Sequence, residues 1–495
     1  MLLVASFLVP VLASLFAAVA KDVRALGRSA VAASLAASAG FGTVAGLVFA
    51  RGPLWVGDSW MVDRFSALMI VLIQIVWTAA AVVSTRYVGR EHDTGVLSTR
   101  KVRIYYGLLP LFVLSMFVTV TTDHLGVLWI ALEATTLTTT PLVALYKKDG
   151  AIEAAWKYLL LCSLGISVSL LGLLLLAYAG VGAGLPLDRA FSLAALRGRA
   201  AALDPQVVRW AFVFLFVGIG TKVGFVPMHP WLPDAHSRTP SPVSACLSGV
   251  LLNVALYALL RAKAVADLSL GQDAWTSGFF VGFGLLSILF AAFVLLHQQN
   301  YKRMLAYHSV EHMGLIAFGL GMGPVGAAGA VAHMIGHTLA KSALFFTAGE
   351  ILLRTHTTKI ANITGLWRAA PRTSLAFMLG FLGLIGMPTS IIFASELTFL
   401  MAAARRNPGA ALAVVVGLAI VPVGVLHHLF SMLFANGSPD GSPGAAPATP
   451  PEQFTVIHAV VAVELALLFA GGVFFLSTPG FEWAASIARD FTVSR

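Results

Sequence analysis

The chain has 495 residues, 58% of them hydrophobic and 11% charged, with a mean hydropathy of +0.87. A soluble domain carries about 25% charged residues, so a soluble multidomain enzyme is excluded and a polytopic membrane protein is expected. The net charge of +10 would suit nucleic acid in a soluble protein, but here Lys and Arg sit in short loops between apolar runs, the pattern of the positive-inside rule.

Runs of about 20 residues, long enough to cross a bilayer, recur along nearly the whole chain. The first, 2–20, ends in FAAVA like a secretory signal, but no Lys or Arg precedes it, so it is read as a span. Thirteen more follow at 29–50, 65–87, 104–122, 124–146, 155–181, 208–227, 242–262, 276–297, 304–321, 325–353, 373–402, 409–434 and 455–477. The fold class is therefore all-α polytopic membrane protein, with about 14 transmembrane helices. Over-long eleventh and twelfth runs suggest tilt, a kink or a break. No GxGxxG or GxxxxGK[ST] phosphate loop is present, and Cys162 and Cys246 lack CxxC spacing, so no cofactor, iron–sulfur site or disulfide framework is expected in this chain.

The fifth run carries Glu133 in LGVLWIALEATTL, with no charged residue for nine positions on either side. A carboxylate there must find a cation, find water, or stay protonated. It could also bond Thr135 or Thr136. The seventh run carries Lys222 in GIGTKVGFVPMHPWLPDAHSRTPSP and then breaks at Pro227, Pro230 and Pro233. A buried lysine beside broken backbone, whose polar groups only protein or a wet cavity can satisfy, is how an ion path looks from sequence.

The second half is richer. The tenth run, AYHSVEHMGL, sets His308, Glu311 and His312 at helical spacings of three and four. The eleventh, AHMIGHTLAKSALFF, stacks His333, His337 and Lys341 at i, i+4 and i+8, a stripe suited to passing protons because imidazole can accept on one nitrogen and release from the other. HxxxH can also bind a metal, but HExxH is absent and no third ligand stands out, so no metal is expected. The twelfth run breaks at Gly386–Pro388 and then carries Glu396 in SIIFASELTF. Glu350, beside Arg354, reads as structural, while Glu464 in the last run could face a partner helix. Two runs broken at matching places point to two inverted five-helix repeats with broken helices 7 and 12.

The expected organisation is an N-terminal three-helix segment (1–103), a first repeat (104–262, helices 4–8), a second repeat (263–434, helices 9–13), a Pro/Gly/Ser linker (435–454) and a C-terminal helix and tail (455–495). Loops after odd-numbered runs hold 18 Lys and Arg against 12 on the other side. Both termini are thus expected on the non-cytoplasmic side of a cell inner membrane.

The segment PMHPWLPDAHSRTPSPVSA, with GTKVGFVP, LLNVALYALLR, SVEHMGL and GHTLAKSALFF, resembles the antiporter-like membrane subunits of respiratory complex I, Mrp antiporters and membrane-bound hydrogenases over about Ile104 to Leu400. Its wording is most similar to the hydrogenase-4 component F branch of group 4 nickel–iron hydrogenases. The resemblance implies fourteen helices with two inverted repeats, Glu133 and Lys222 as a coupled pair, His333, His337 and Lys341 as a central relay, and Glu396 as its terminal group. Asn253 stands where many relatives carry Lys or His, and the stretch after 477 is too short for the long lateral helix of the largest such subunit. The expected function is proton translocation along this Glu/Lys/His axis as a non-redox subunit of a hydrogenase- or complex-I-like assembly. Other membrane subunits, the bilayer and protons would be its partners, and nucleic acid would not. Alternatives are a Na⁺ or K⁺/H⁺ antiporter subunit of the Mrp type, or the membrane partner of an inorganic-carbon uptake complex.

Overall fold

A computed structural model describes residues 2–147, 149–435 and 451–492. In chain order the helices are α1 (Leu2–Val19), α2 (Val23–Arg51), α3 (Arg64–Asp93), α4 (Thr99–Thr121), α5 (Leu125–Val143), α6 (Asp149–Gly182), α7 (Leu193–Gly198), α8 (Pro205–Val223), α9 (Trp231–Arg238) and α10 (Ser241–Cys246). There follow α11 (Leu252–Leu270), α12 (Ala274–Leu295), α13 (Tyr301–Gly321), α14 (Gly323–Thr355), α15 (Leu366–Ala369), α16 (Pro371–Leu384), α17 (Ile391–Arg406), α18 (Pro408–Phe434), α19 (Val456–Phe475) and α20 (Thr478–Ala488). Eleven helices among the described residues are long and apolar enough to cross a membrane. The tenth and eleventh expected runs fall on α13 and α14, and the twelfth on α16 and α17 together. Most of the linker expected at 435–454 lies outside the described residues.

A small antiparallel hairpin, β1 (Leu54–Val56) with β2 (Trp60–Val62), joins α2 to α3 through Gly57 at φ +64°. Hydropathy does not reveal it, because three-residue strands leave no period to read. The stretch after α19, expected as a tail, forms helix α20, and the Asp490 carboxylate just beyond it accepts from the Phe65 amide at 3.0 Å.

The seventh run ends earlier than its prolines suggest. Gly224 closes α8 in the left-handed conformation, φ +88°, where a Cβ is costly. The open backbone that follows is satisfied by protein: Trp231 Nε1 donates to the Thr221 carbonyl at 2.7 Å, and the Val226 amide donates to Ser287 Oγ at 3.0 Å. Pro230 then precedes α9, and Pro233 sits in its first turn, where a missing N–H costs nothing. The twelfth run breaks as expected, with Gly386 at φ +75° and Thr389 at φ +78° between α16 and α17. The eleventh does not: α14 is continuous for 33 residues.

The middle of the bundle is α14, which packs against α3, α10, α13, α16, α17, α19 and α20. Together, α10, a π-helical turn at Leu247–Leu251 and α11 form a second fully enclosed rod. Beyond its first turn α14 is enclosed by these neighbours, so its polar groups meet protein rather than lipid.

Candidate functional site

The first polar group sits on α5, α6 and α8. Lys222, on the last turn of α8, is fully buried; its Nζ donates to the Leu132 carbonyl at 2.8 Å and to the Thr136 hydroxyl, both on α5. Glu133 is half-buried on the α6 side of α5. Its Oε1 accepts from Ser163 Oγ at 2.5 Å, and its Oε2 has no partner among the described residues. No direct hydrogen bond joins Glu133 to Lys222 among the described residues. Successive helical residues point about 100° apart, so Lys222, reaching the face of Leu132 and Thr136, misses the carboxylate on the neighbouring residue. The two charges still lie within each other's field.

The second group lies on α13, α14 and α17. His308 Nδ1 meets Glu311 Oε2 at 2.9 Å, and Glu311 Oε2 stands 3.8 Å from His312 Nε2. From the other side of its ring, His312 Nδ1 bonds His333 Nε2 at 2.8 Å, and His333 Nδ1 bonds Ser395 Oγ at 2.8 Å. Thus four titratable side chains from two helices form a line ending at the first turns of α17. Only the 3.8 Å step exceeds hydrogen-bond reach. Glu396, the next residue along, is buried, and its carboxylate lies against Gly386 in the break; it makes no hydrogen bond among the described residues.

His337 and Lys341 are buried beside this line. The His337 ring is 5.6 Å from that of His312, and both its nitrogens lack a partner among the described residues. Lys341 Nζ donates to the Leu305 carbonyl at 2.7 Å, one turn before His308. Asn253 Nδ2 donates to Thr338 Oγ1 at 3.1 Å and to the Met334 carbonyl at 3.3 Å, which pins α11 to the polar face of α14. Glu350 pairs with Arg354 at 3.1 Å and Arg86 at 3.4 Å, the structural role expected of it. Glu464 accepts from Ser342 Oγ at 2.7 Å, so it joins α19 to α14.

His308, Glu311 and His312 also bring ligand atoms within 4.8 Å of one another. His308 and His312 are themselves an HxxxH pair, and Glu311 supplies the third candidate ligand that did not stand out in the sequence. The three-residue set lies on α13, where His308 and Glu311 already spend their facing atoms on each other.

Two residues of the site escape the sequence argument. Lys302, at the start of α13, is buried and donates to the Thr239 carbonyl at the end of α9 at 2.7 Å. His236, on α9, is fully buried, with both ring nitrogens unpartnered among the described residues; its ring is 6.2 Å from Trp231 and 5.8 Å from Phe345, one turn beyond Lys341. His236 thus packs against α14 one turn beyond Lys341, while Lys302 bonds the residue that ends its own helix. Lys302 looked like a loop cation, and His236 falls in a Pro-rich stretch where no periodicity says which way a side chain faces. Beyond Lys302, a cavity of about 310 Å³ is lined by Glu91, Tyr146, Ser237, Arg238 and Thr239. Tyr146 donates to Glu91 at 2.8 Å.

A family model described as NADH:quinone oxidoreductase/Mrp antiporter, transmembrane, matches residues 122–421. The chain is 37% identical over 402 residues to a hydrogenase-4 component F homolog from Methylacidiphilum infernorum, covering 80% of this chain and 83% of the relative. It is 30% identical to NADH-quinone oxidoreductase subunit N of Desulforudis audaxviator, covering 81% and 77% respectively. Its fold is shared with a chain of the membrane-bound sulfane sulfur reductase, an archaeal respiratory membrane complex. The TM-score is 0.85 at 23% identity, over 99% of this chain and 97% of that one.

Proposed function

This chain belongs to the NADH:quinone oxidoreductase/Mrp antiporter transmembrane family, and from that premise we propose that it is the proton-translocating subunit of a hydrogenase- or complex-I-like membrane assembly. It is a multi-pass membrane protein, and its relatives are membrane subunits of such complexes. The reading places it in a cell inner membrane with both termini outside the cytoplasm, spanning fourteen times, with ten of those spans in two inverted five-helix repeats (104–262 and 263–434). The redox chemistry belongs to partner subunits.

One observation carries the reading: His308, Glu311, His312, His333 and Ser395 stand in one buried line. Burying this many titratable groups in a membrane protein is costly unless they act together. A proton enters from the cavity beside Glu91 and reaches Lys302. It then passes to His236, which can take it on one nitrogen and release it from the other. Lys341 and His337 hand it to the imidazole line, whose 3.8 Å step closes by a shift of the Glu311 carboxylate or through a bridging water. Glu396, at the break between α16 and α17, is the terminal group. Glu133 and Lys222 act as the input: a charge or hydration change beside Glu133 draws Lys222 off its two α5 oxygens, and the altered field biases the rest.

Glu133→Ala and Lys222→Ala in the intact complex test this. Each leaves the complex assembled and abolishes proton pumping into membrane vesicles; normal pumping by either variant rejects the proposed input. A second reading, cation/proton exchange of the Mrp type, is favoured by the family description alone. Pumping that requires Na⁺ or K⁺ would support it.

A further inference from the structure

Where α1 finishes and α2 and α4 begin, a cleft of about 730 Å³ is lined by the cations Lys21, Arg24, Arg28, Arg86 and Arg90. The two acids in its wall do not offset them. Asp22 is committed as the N-cap of α2, accepting from the amides of Arg24 at 3.0 Å and Ala25 at 3.2 Å, and Asp93 lies 3.8 Å from His92. Arg86 is held by Glu350, whereas Arg24 and Arg28, exposed one turn apart, have no carboxylate within 4.0 Å among the described residues. Helix α4 opens on the same cleft at Thr99, and its N-cap Ser98 makes no side-chain bond, so the first amides of a 23-residue helix have no side-chain partner there. Cations and free helix amides together make an anion site.

A second groove of about 430 Å³ runs between α1 and α4, walled by Ala17, Ile104, Gly107 and Leu108 with Arg100 and Arg103 at its edge. Ser14 Oγ donates to the Gly107 carbonyl at 2.8 Å, and Arg103 Nε donates to the Ala17 carbonyl at 3.3 Å, fixing its two walls to each other. Lys21 follows Ala18 by three residues and Thr99 precedes Arg100, so the cationic cleft and the apolar groove adjoin.

We propose that these two sites together hold one anionic phospholipid, its phosphodiester headgroup in the cleft and an acyl chain along the α1–α4 groove. A free anion has no use for the groove, and an acidic protein segment none for its apolar wall; the lipid fills both. Basic pockets between transmembrane helices have this affinity for acidic headgroups. No residue of the proposed relay lines either site, so the inference stands or falls separately from it.

The test is the melting temperature of the full chain in detergent, titrated with phosphatidylglycerol, phosphatidylcholine or inorganic phosphate. Phosphatidylglycerol raises it saturably, and the other two do not. At about fivefold per cation, the double variant Arg24→Gln, Arg28→Gln weakens the apparent affinity roughly thirtyfold. Both residues are exposed, so its melting temperature without lipid stays that of the parent, and Arg405→Gln, on an exposed stretch elsewhere, leaves the titration unchanged. An equal response to phosphatidylcholine or to inorganic phosphate, or an undiminished response in the double variant, overturns the proposal. So does crosslinking of Arg24 and Arg28 to an acidic partner segment in the intact complex.

Discussion

A buried amine or imidazole is informative chiefly through what it does not bond. Lys222, Lys302 and Lys341 each rest on a backbone carbonyl rather than on a carboxylate, so none is locked in an ion pair that a passing proton would have to break. His236 and His337 go further, with no partner on any ring nitrogen among the described residues. Leaving a buried polar group unpaired costs about 1–3 kcal/mol, a cost that packing alone does not explain. His236→Leu, set between Trp231 and Phe345, is expected to preserve the melting temperature and to cut proton uptake into vesicles by at least about tenfold. An unchanged rate would remove His236 from the path. Periodicity was enough to line up His308, Glu311, His312, His333, His337 and Lys341, because helical spacing fixes direction. It could not separate Glu133 from Lys222, since that depends on which side of α5 the end of α8 meets.

Elements carry a different kind of legibility. The two broken helices were visible because glycine and proline act locally: they remove a donor or permit a positive φ wherever they stand. The α2–α3 hairpin and helix α20 were not, being too short or too amphipathic for a hydropathy reading. The end of the linker illustrates another hidden contact. Glu452 accepts from the amides of Arg372 at 2.6 Å and Thr373 at 2.9 Å, fastening the chain ahead of α19 to the start of α16. Burial raises the carboxyl's pKa, but these bonds, the Thr373 hydroxyl and His458 outweigh it, and the net shift is downward. A depressed folded-state pKa contributes stability at neutral pH that is lost as pH falls through it. Protection of the Arg372 and Thr373 amides against hydrogen exchange should therefore hold at pH 7 and fail only once the pH falls below the ordinary glutamate range. Glu452→Gln should lose part of it at pH 7. Protection independent of both pH and the substitution would mean that the carboxylate does not anchor α16.

At the scale of the whole molecule, the buried polar groups fall on α5 and α8, on α13 and α14, and at the α17 break, which the proposal reads as input, relay and terminal carboxylate. Glu133, half-buried with one oxygen unpartnered among the described residues, is the group the proposal places at the input. Composition and run length were sufficient to give the membrane class and the helical order, because twenty apolar residues have few alternatives to spanning a bilayer. They say nothing of which helix becomes the axis, which is decided by how α14 packs against seven neighbours. The most direct test of the relay is proton pumping by the intact complex carrying Lys341→Met, which keeps the length and volume of a fully enclosed side chain while removing its charge. The account predicts an assembled complex that turns over its electron donor without building a pH gradient across the vesicle membrane. A gradient equal to that of the unsubstituted complex at the same turnover would contradict it.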